Sequence, residues 1–204
     1  MAHPTSGTLV NTLAARSDMS AAVRVAAVFL MAALTAIAAQ VSIHLPFTPV
    51  PLTLQPMVVL LGGAALGSRL GAASQLLYLS AGLAGLPVFA ASAVLPPGPL
   101  RLLGPSGGYL LSYPLAAFVT GWLAERGFDR RYVTSVAAMA AGLLIVFAFG
   151  VAWLAWFARP VAAGLETALR TGFLAFLPVD IYKILVAAGV LPGVWKLTGV
   201  RAAS

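Results

Sequence analysis

The chain has 204 residues, of which 61% are apolar and 8% charged. A soluble domain carries about 25% charged residues, so this composition excludes one, and with no cysteine it also excludes a disulfide-framed scaffold. Net charge is +7, from 12 basic and 5 acidic residues. In so apolar a chain that surplus points to orientation in a membrane, not to nucleic acid.

The length suits a single integral-membrane domain over residues 1–204, with a polar N-terminal tail over about residues 1–20. At roughly 20 residues per span it has room for about six transmembrane helices. The first apolar run, Ala21 to Val41, matches a bilayer. A secretory signal is the competing reading, because Arg16 and Arg24 precede a stretch ending in Ala36-Ile37-Ala38. Next, Leu45 to Pro56 holds Pro46, Pro49, Pro51 and Pro56, which forbid a continuous helix.

A second helix is expected over about Pro56–Gly67 and a third over about Leu70–Ala84, both shorter than a full span. The stretch from Gly85 to Gly108 contains Pro87, Pro96, Pro97, Pro99 and Pro105 and is long for a connector. The fourth helix is expected over about Tyr109–Ala124, the fifth over Tyr132–Phe157 and the sixth over Gly172–Trp195. With six spans, Arg16, Arg24, Arg69, Arg126, Arg130, Arg131, Lys196 and Arg201 fall on the side of the N terminus. Arg101, Arg159 and Arg170 fall on the other. Both termini are therefore expected to be cytoplasmic, and both proline-rich loops to lie together on the outer face.

Asp180 and Lys183 lie three residues apart on the last helix, so they share a face and can touch. Each costs about 2.5 to 3.5 kcal/mol at a helix centre on insertion scales, which makes a polar ligand or a proton relay the functional reading. A structural ion pair is the plain one. Gly104-Pro105-Ser106-Gly107-Gly108-Tyr109 opens the fourth helix, where free backbone N–H groups can receive a polar ligand. The same letters match the serine-hydrolase pattern G-x-S-x-G, but a serine nucleophile needs a base. The only histidines are His3, in the N-terminal tail, and His44, in the first outer loop.

Gln55 enters the second helix beside Thr53, as a ligand contact or as a cap at the interface. Arg101, in the second outer loop, is either a carboxylate partner or a solvated arginine. Tyr78 has no assignable role. The pairs Ala22/Ala26 and Ala32/Ala36 are small-xxx-small and permit close helix approach. No Walker A loop, metal cluster or redox cysteine is present, so no cofactor is expected.

Together these segments resemble the BioY family, the biotin-binding S-components of energy-coupling factor (ECF) transporters. The resemblance rests on Pro46–Gln55, Gly85-Leu86-Pro87-Val88-Phe89, Leu103–Tyr109 and Asp180-x-x-Lys183, in that order. It implies a six-helix all-α protein of the bacterial cytoplasmic membrane that captures biotin beneath its outer loops and is not an enzyme. It also implies that Asp180 and Lys183 meet the ligand, with Gln55, Ser106, Gly107, Gly108, Tyr109 and Arg101 in the bordering segments. The alanine face of helix 1 would dock a transmembrane coupling subunit, which in turn contacts two ATPase subunits. One segment departs: after Phe89 the family shows a glycine-rich stretch, whereas Ala90 to Leu102 reads AASAVLPPGPLRL. A stand-alone proton-coupled vitamin transporter is the alternative, and an intramembrane serine hydrolase the third.

Overall fold

The structure, a computed structural model, describes residues 8–9, 20–92, 95–96, 98–158 and 164–198. His3, Arg16, Arg159, Arg201 and most of the N-terminal tail lie outside the described residues.

The protein is mostly helical. Helix α1 spans Ser20–Gln40, α2 Gln55–Leu66, α3 Ser68–Leu83, the single turn α4 Leu100–Leu103, α5 Gly107–Leu123 and α6 Tyr132–Trp156. A final helical stretch comprises α7 (Leu165–Ala168), a π-helical turn (Leu169–Leu174), α8 (Leu177–Ala187) and α9 (Val190–Thr198). Among the described residues, three segments are long and apolar enough to cross a membrane: Ala21–Gln40, Tyr132–Trp156 and Leu165–Leu197.

The sixth helix therefore differs from its expected course. It starts earlier than Gly172 and is not one regular rod. Pro178 lacks an N–H and opens α8 as a fresh start, and the chain turns again at Ala188–Gly189 before α9.

The proline-rich segment after α1 is not shapeless either. Strands β1 (Ser42–Ile43) and β2 (Leu52–Thr53) form a short antiparallel hairpin, with Ser42 opposite Thr53. Pro46, Pro49 and Pro51 lie in the connection, where no ladder donor is required of them.

Helices α2, α3, α5 and α6 enclose the core, which includes Val59, Leu60, Tyr78, Tyr113, Met139 and Val146. Close approach there needs glycine: a Cβ on Gly63 would lie 2.9 Å from Ala117 Cα. Helix α1 packs on α2 and α3 and exposes Val25, Phe29, Leu30 and Ile37.

Its alanines divide. Ala22 and Ala26 are exposed, whereas Ala32 is buried and Ala36 packs on the core. Ten residues separate the pairs, which is about 1,000° of helical turn, so the second pair points about 80° away from the first. Ala32 and Ala36, expected on a docking face, pack α1 against its own chain, and the exposed pair is Ala22/Ala26.

Candidate functional site

Two proline-initiated helices bring the site together. Pro56 stands in the first turn of α2 and Pro178 in the first turn of α8, where a missing N–H costs nothing. Gln55 thus sits at the opening of α2, its backbone N–H donating to Thr53 Oγ1 at 3.3 Å. Asp180 and Lys183 occupy successive turns of α8.

Lys183 Nζ donates to Asp180 Oδ1 at 2.7 Å and to the Thr53 carbonyl at 2.6 Å. Both charged residues are buried, with Asp180 4% and Lys183 7% exposed. An ammonium has three donors, so one remains for a ligand. Among the described residues, Asp180 Oδ2 accepts no hydrogen bond. The pair therefore offers one donor and one acceptor side by side.

Both residues line a cavity of about 510 Å³ that is also bordered by the hairpin connection and by residues 89–92, 95, 101 and 104–106. That volume falls in the roughly 300 to 1,000 Å³ range of small-molecule sites. Its wall is mainly apolar, with Phe89, Leu110, Val146, Phe147 and Phe176 contributing, and Gln55, Arg101, Ser106 and Tyr109 also line it.

Gln55 is 3% exposed and donates through Nε2 to Tyr78 OH at 2.6 Å. Tyr109 reaches the cavity as a ring, because its hydroxyl is bonded to the Gly172 carbonyl at 2.7 Å. Arg101 Nη1 donates to the Ala90 carbonyl at 2.5 Å and Nε to the Pro96 carbonyl at 2.9 Å. Partial burial draws its guanidinium below the ordinary arginine value.

The glycine turn is divided as well. Gly104, Pro105 and Ser106 line the cavity, but Gly107 and Gly108 do not. A Cβ on Gly107 would meet the Leu102 carbonyl and Trp153, and one on Gly108 would meet Trp153 and the Phe149 carbonyl. Those two glycines seat α5 on α6, and the Trp153 indole fixes the turn by donating to the Gly104 carbonyl at 2.9 Å.

His44 and Ser106 both line the cavity, yet His44 Nε2 meets the Ala91 carbonyl at 3.1 Å and is not bonded to the serine hydroxyl. The missing base of a hydrolase is thus not supplied by this histidine. Two participants were not legible in the sequence: the Thr53 carbonyl, which carries no side-chain signal, and Tyr78, to which the sequence assigns no role.

A BioY family sequence profile matches residues 11–199. The chain is 40% identical over 163 residues to a probable biotin transporter BioY of Pyrococcus horikoshii, covering 80% of this chain and 90% of that protein. It is 38% identical over 146 residues to a biotin transporter BioY of Thermotoga maritima, covering 72% and 81%. Among solved structures it resembles the S-component for biotin from an ECF-type ABC transporter, with a TM-score of 0.77 and 25% identity. That likeness covers 88% of this chain and 94% of the other. A profile spanning nearly the whole chain, with relatives this similar over most of their length, establishes that the chain belongs to the BioY family.

Proposed function

We propose that the chain captures biotin as the substrate-binding subunit of an ECF-type transporter, without catalysis of its own. The observation that carries the reading is the buried Asp180–Lys183 pair lining a mainly apolar cavity beside the β1–β2 hairpin connection. Biotin has a ureido ring, which both donates and accepts hydrogen bonds, and an aliphatic tail ending in a carboxylate. Asp180 Oδ2 and the spare Lys183 donor match the ring, the apolar wall matches the tail, and Arg101 matches the carboxylate.

In this reading the helices make six membrane crossings in the bacterial cytoplasmic membrane, with both termini on the cytoplasmic side. The excess of Arg24, Arg69, Arg126, Arg130, Arg131 and Lys196 over Arg101 and Arg170 supports that orientation. The exposed Ala22/Ala26 face of α1 is where the transmembrane coupling subunit would approach, and ATP would be hydrolysed by its ATPase partners.

The test is titration of purified protein with biotin, repeated for Asp180→Asn and Lys183→Met. Saturable binding that both variants weaken supports the assignment; wild-type affinity in both removes these residues from the site. Vesicles containing this chain alone should show no uptake driven by a proton gradient. Such uptake would favour a stand-alone transporter.

A further inference from the structure

Tyr78 is 1% exposed and does not line the cavity, yet it holds one of the residues that does. Its hydroxyl donates to the Val88 carbonyl at 3.3 Å. Having spent its only proton there, the oxygen can serve Gln55 only as an acceptor. The amide responds by turning its NH₂ end to Tyr78, at 2.6 Å. The opposite end, Oε1, then lies on the Thr53 side, where Thr53 Oγ1 donates to it at 3.3 Å. Thr53 lines the cavity as well. A carbonyl oxygen has two lone pairs, so one acceptor site of Oε1 stays available.

The tyrosine ring cannot easily shift to relax this arrangement. Phe89 packs edge-on against it, with centroids 5.5 Å apart, and is itself seated in the notch left by Gly82. From this chain of contacts we propose that Tyr78 is a positioning residue that sets the specificity of the site. It locks the Gln55 amide with its carbonyl toward the cavity, so that the site selects a ligand presenting an N–H donor at that point. Without the hydroxyl, the amide is free to rotate and present its NH₂ group instead.

The proposal rests on the biotin reading and assigns Gln55 to one of the ureido nitrogens. Its test is the discrimination between biotin and its two mono-N-methyl ureido analogues, measured as a ratio of dissociation constants. Tyr78→Phe keeps the ring and its contact with Phe89 and removes only the hydroxyl. For one of the two analogues the ratio should fall by about five- to tenfold in Tyr78→Phe, the scale of one buried hydrogen bond. Gln55→Leu should produce a similar fall, and adding Tyr78→Phe to it should change the ratio no further.

A merely structural tyrosine would weaken biotin and both analogues alike, leaving the ratios where they were, and that result overturns the proposal. An additional fall in the double variant also overturns it, because the effect would then not pass through Gln55. If wild-type protein binds no biotin at all, it is the transport reading that fails. Should Tyr78→Phe fold poorly, the same ratio measured in Gly82→Ala, which displaces Phe89 from its seat, must fall for the same analogue.

Discussion

Lys183 Nζ lies 2.6 Å from the Thr53 carbonyl, so one α8 side chain holds both its own carboxylate partner and the end of the β1–β2 hairpin. The buried ammonium and the roof above the cavity are thereby a single connected unit. A ligand that engages the ammonium acts on the hairpin as well.

Removing Lys183 should consequently cost more than a contact. Lys183→Met leaves the Asp180 carboxylate buried without its partner, a loss of about 3 to 5 kcal/mol of stability for such pairs. Thermal unfolding in detergent should show a larger drop for Lys183→Met than for the double change Asp180→Asn/Lys183→Met. Both should bind biotin at least tenfold more weakly than wild type, as loss of a charge-assisted hydrogen bond requires.

Arg101 reaches the cavity from α4, ahead of the turn into α5, while donating to Ala90 and Pro96, which leaves guanidinium protons for an anion. Wild-type protein should prefer biotin over its methyl ester by tenfold or more, since the ester has no charge to pair. In Arg101→Ala that preference should shrink toward unity, measured by competition at fixed salt. An unchanged preference would show that the carboxylate lies elsewhere.

The sequence was most informative where a residue type conflicts with its surroundings. Asp180 and Lys183 stand out in an apolar helix, and their spacing alone predicts the contact that forms. Prolines 46, 49 and 51 likewise mark an interrupted segment, although a hairpin of two residues per strand is too short to show an alternating pattern. Glycines carry less information, because a missing side chain does not say what approaches it. Gly107 and Gly108 read like a ligand cradle and instead admit Trp153 and its helix. Tyr78 was silent for the opposite reason: an aromatic on an apolar helix looks like core until its hydroxyl partners are seen. The π-helical turn at Leu169–Leu174 leaves no trace in hydropathy, so the last span reads as shorter than it is.

Neighbouring glycines of α2 should respond differently to the same change. A Cβ on Gly63 would meet the backbone of Ala117 in α5, which cannot move without displacing the helix. The nearest atoms to a Cβ on Gly62 would be Met31 Cγ and Sδ at 2.6 Å and Cε at 3.1 Å, all in one flexible side chain. Gly63→Ala should therefore destabilise the fold by about 1 to 3 kcal/mol, as overpacking does. Gly62→Ala should unfold within a degree or two of wild type. Equal losses would mean that α1 is held as rigidly as α5.

At the turn between α5 and α6, Asp129 is 1% exposed and accepts a hydrogen bond from the Trp195 indole at 2.7 Å. Arg130 Nε is 3.5 Å from its other oxygen, and the Arg130 guanidinium stacks on the Trp195 ring. Burial nevertheless outweighs these contacts and raises the carboxyl above the ordinary aspartate value. An acid whose folded value is raised holds its proton more tightly in the native state than in the unfolded one. Its contribution to stability is greatest below the ordinary value and declines as pH rises through the folded one. Asp129→Asn keeps an oxygen for Trp195 and abolishes that decline. The variant should be more stable than wild type at neutral pH, with the difference shrinking as pH is lowered toward the ordinary carboxylate range. Thermal unfolding followed by tryptophan fluorescence across this range checks the sign. A difference that instead grows on acidification would mean that Arg130 and Trp195 stabilise the charged form more than burial penalises it.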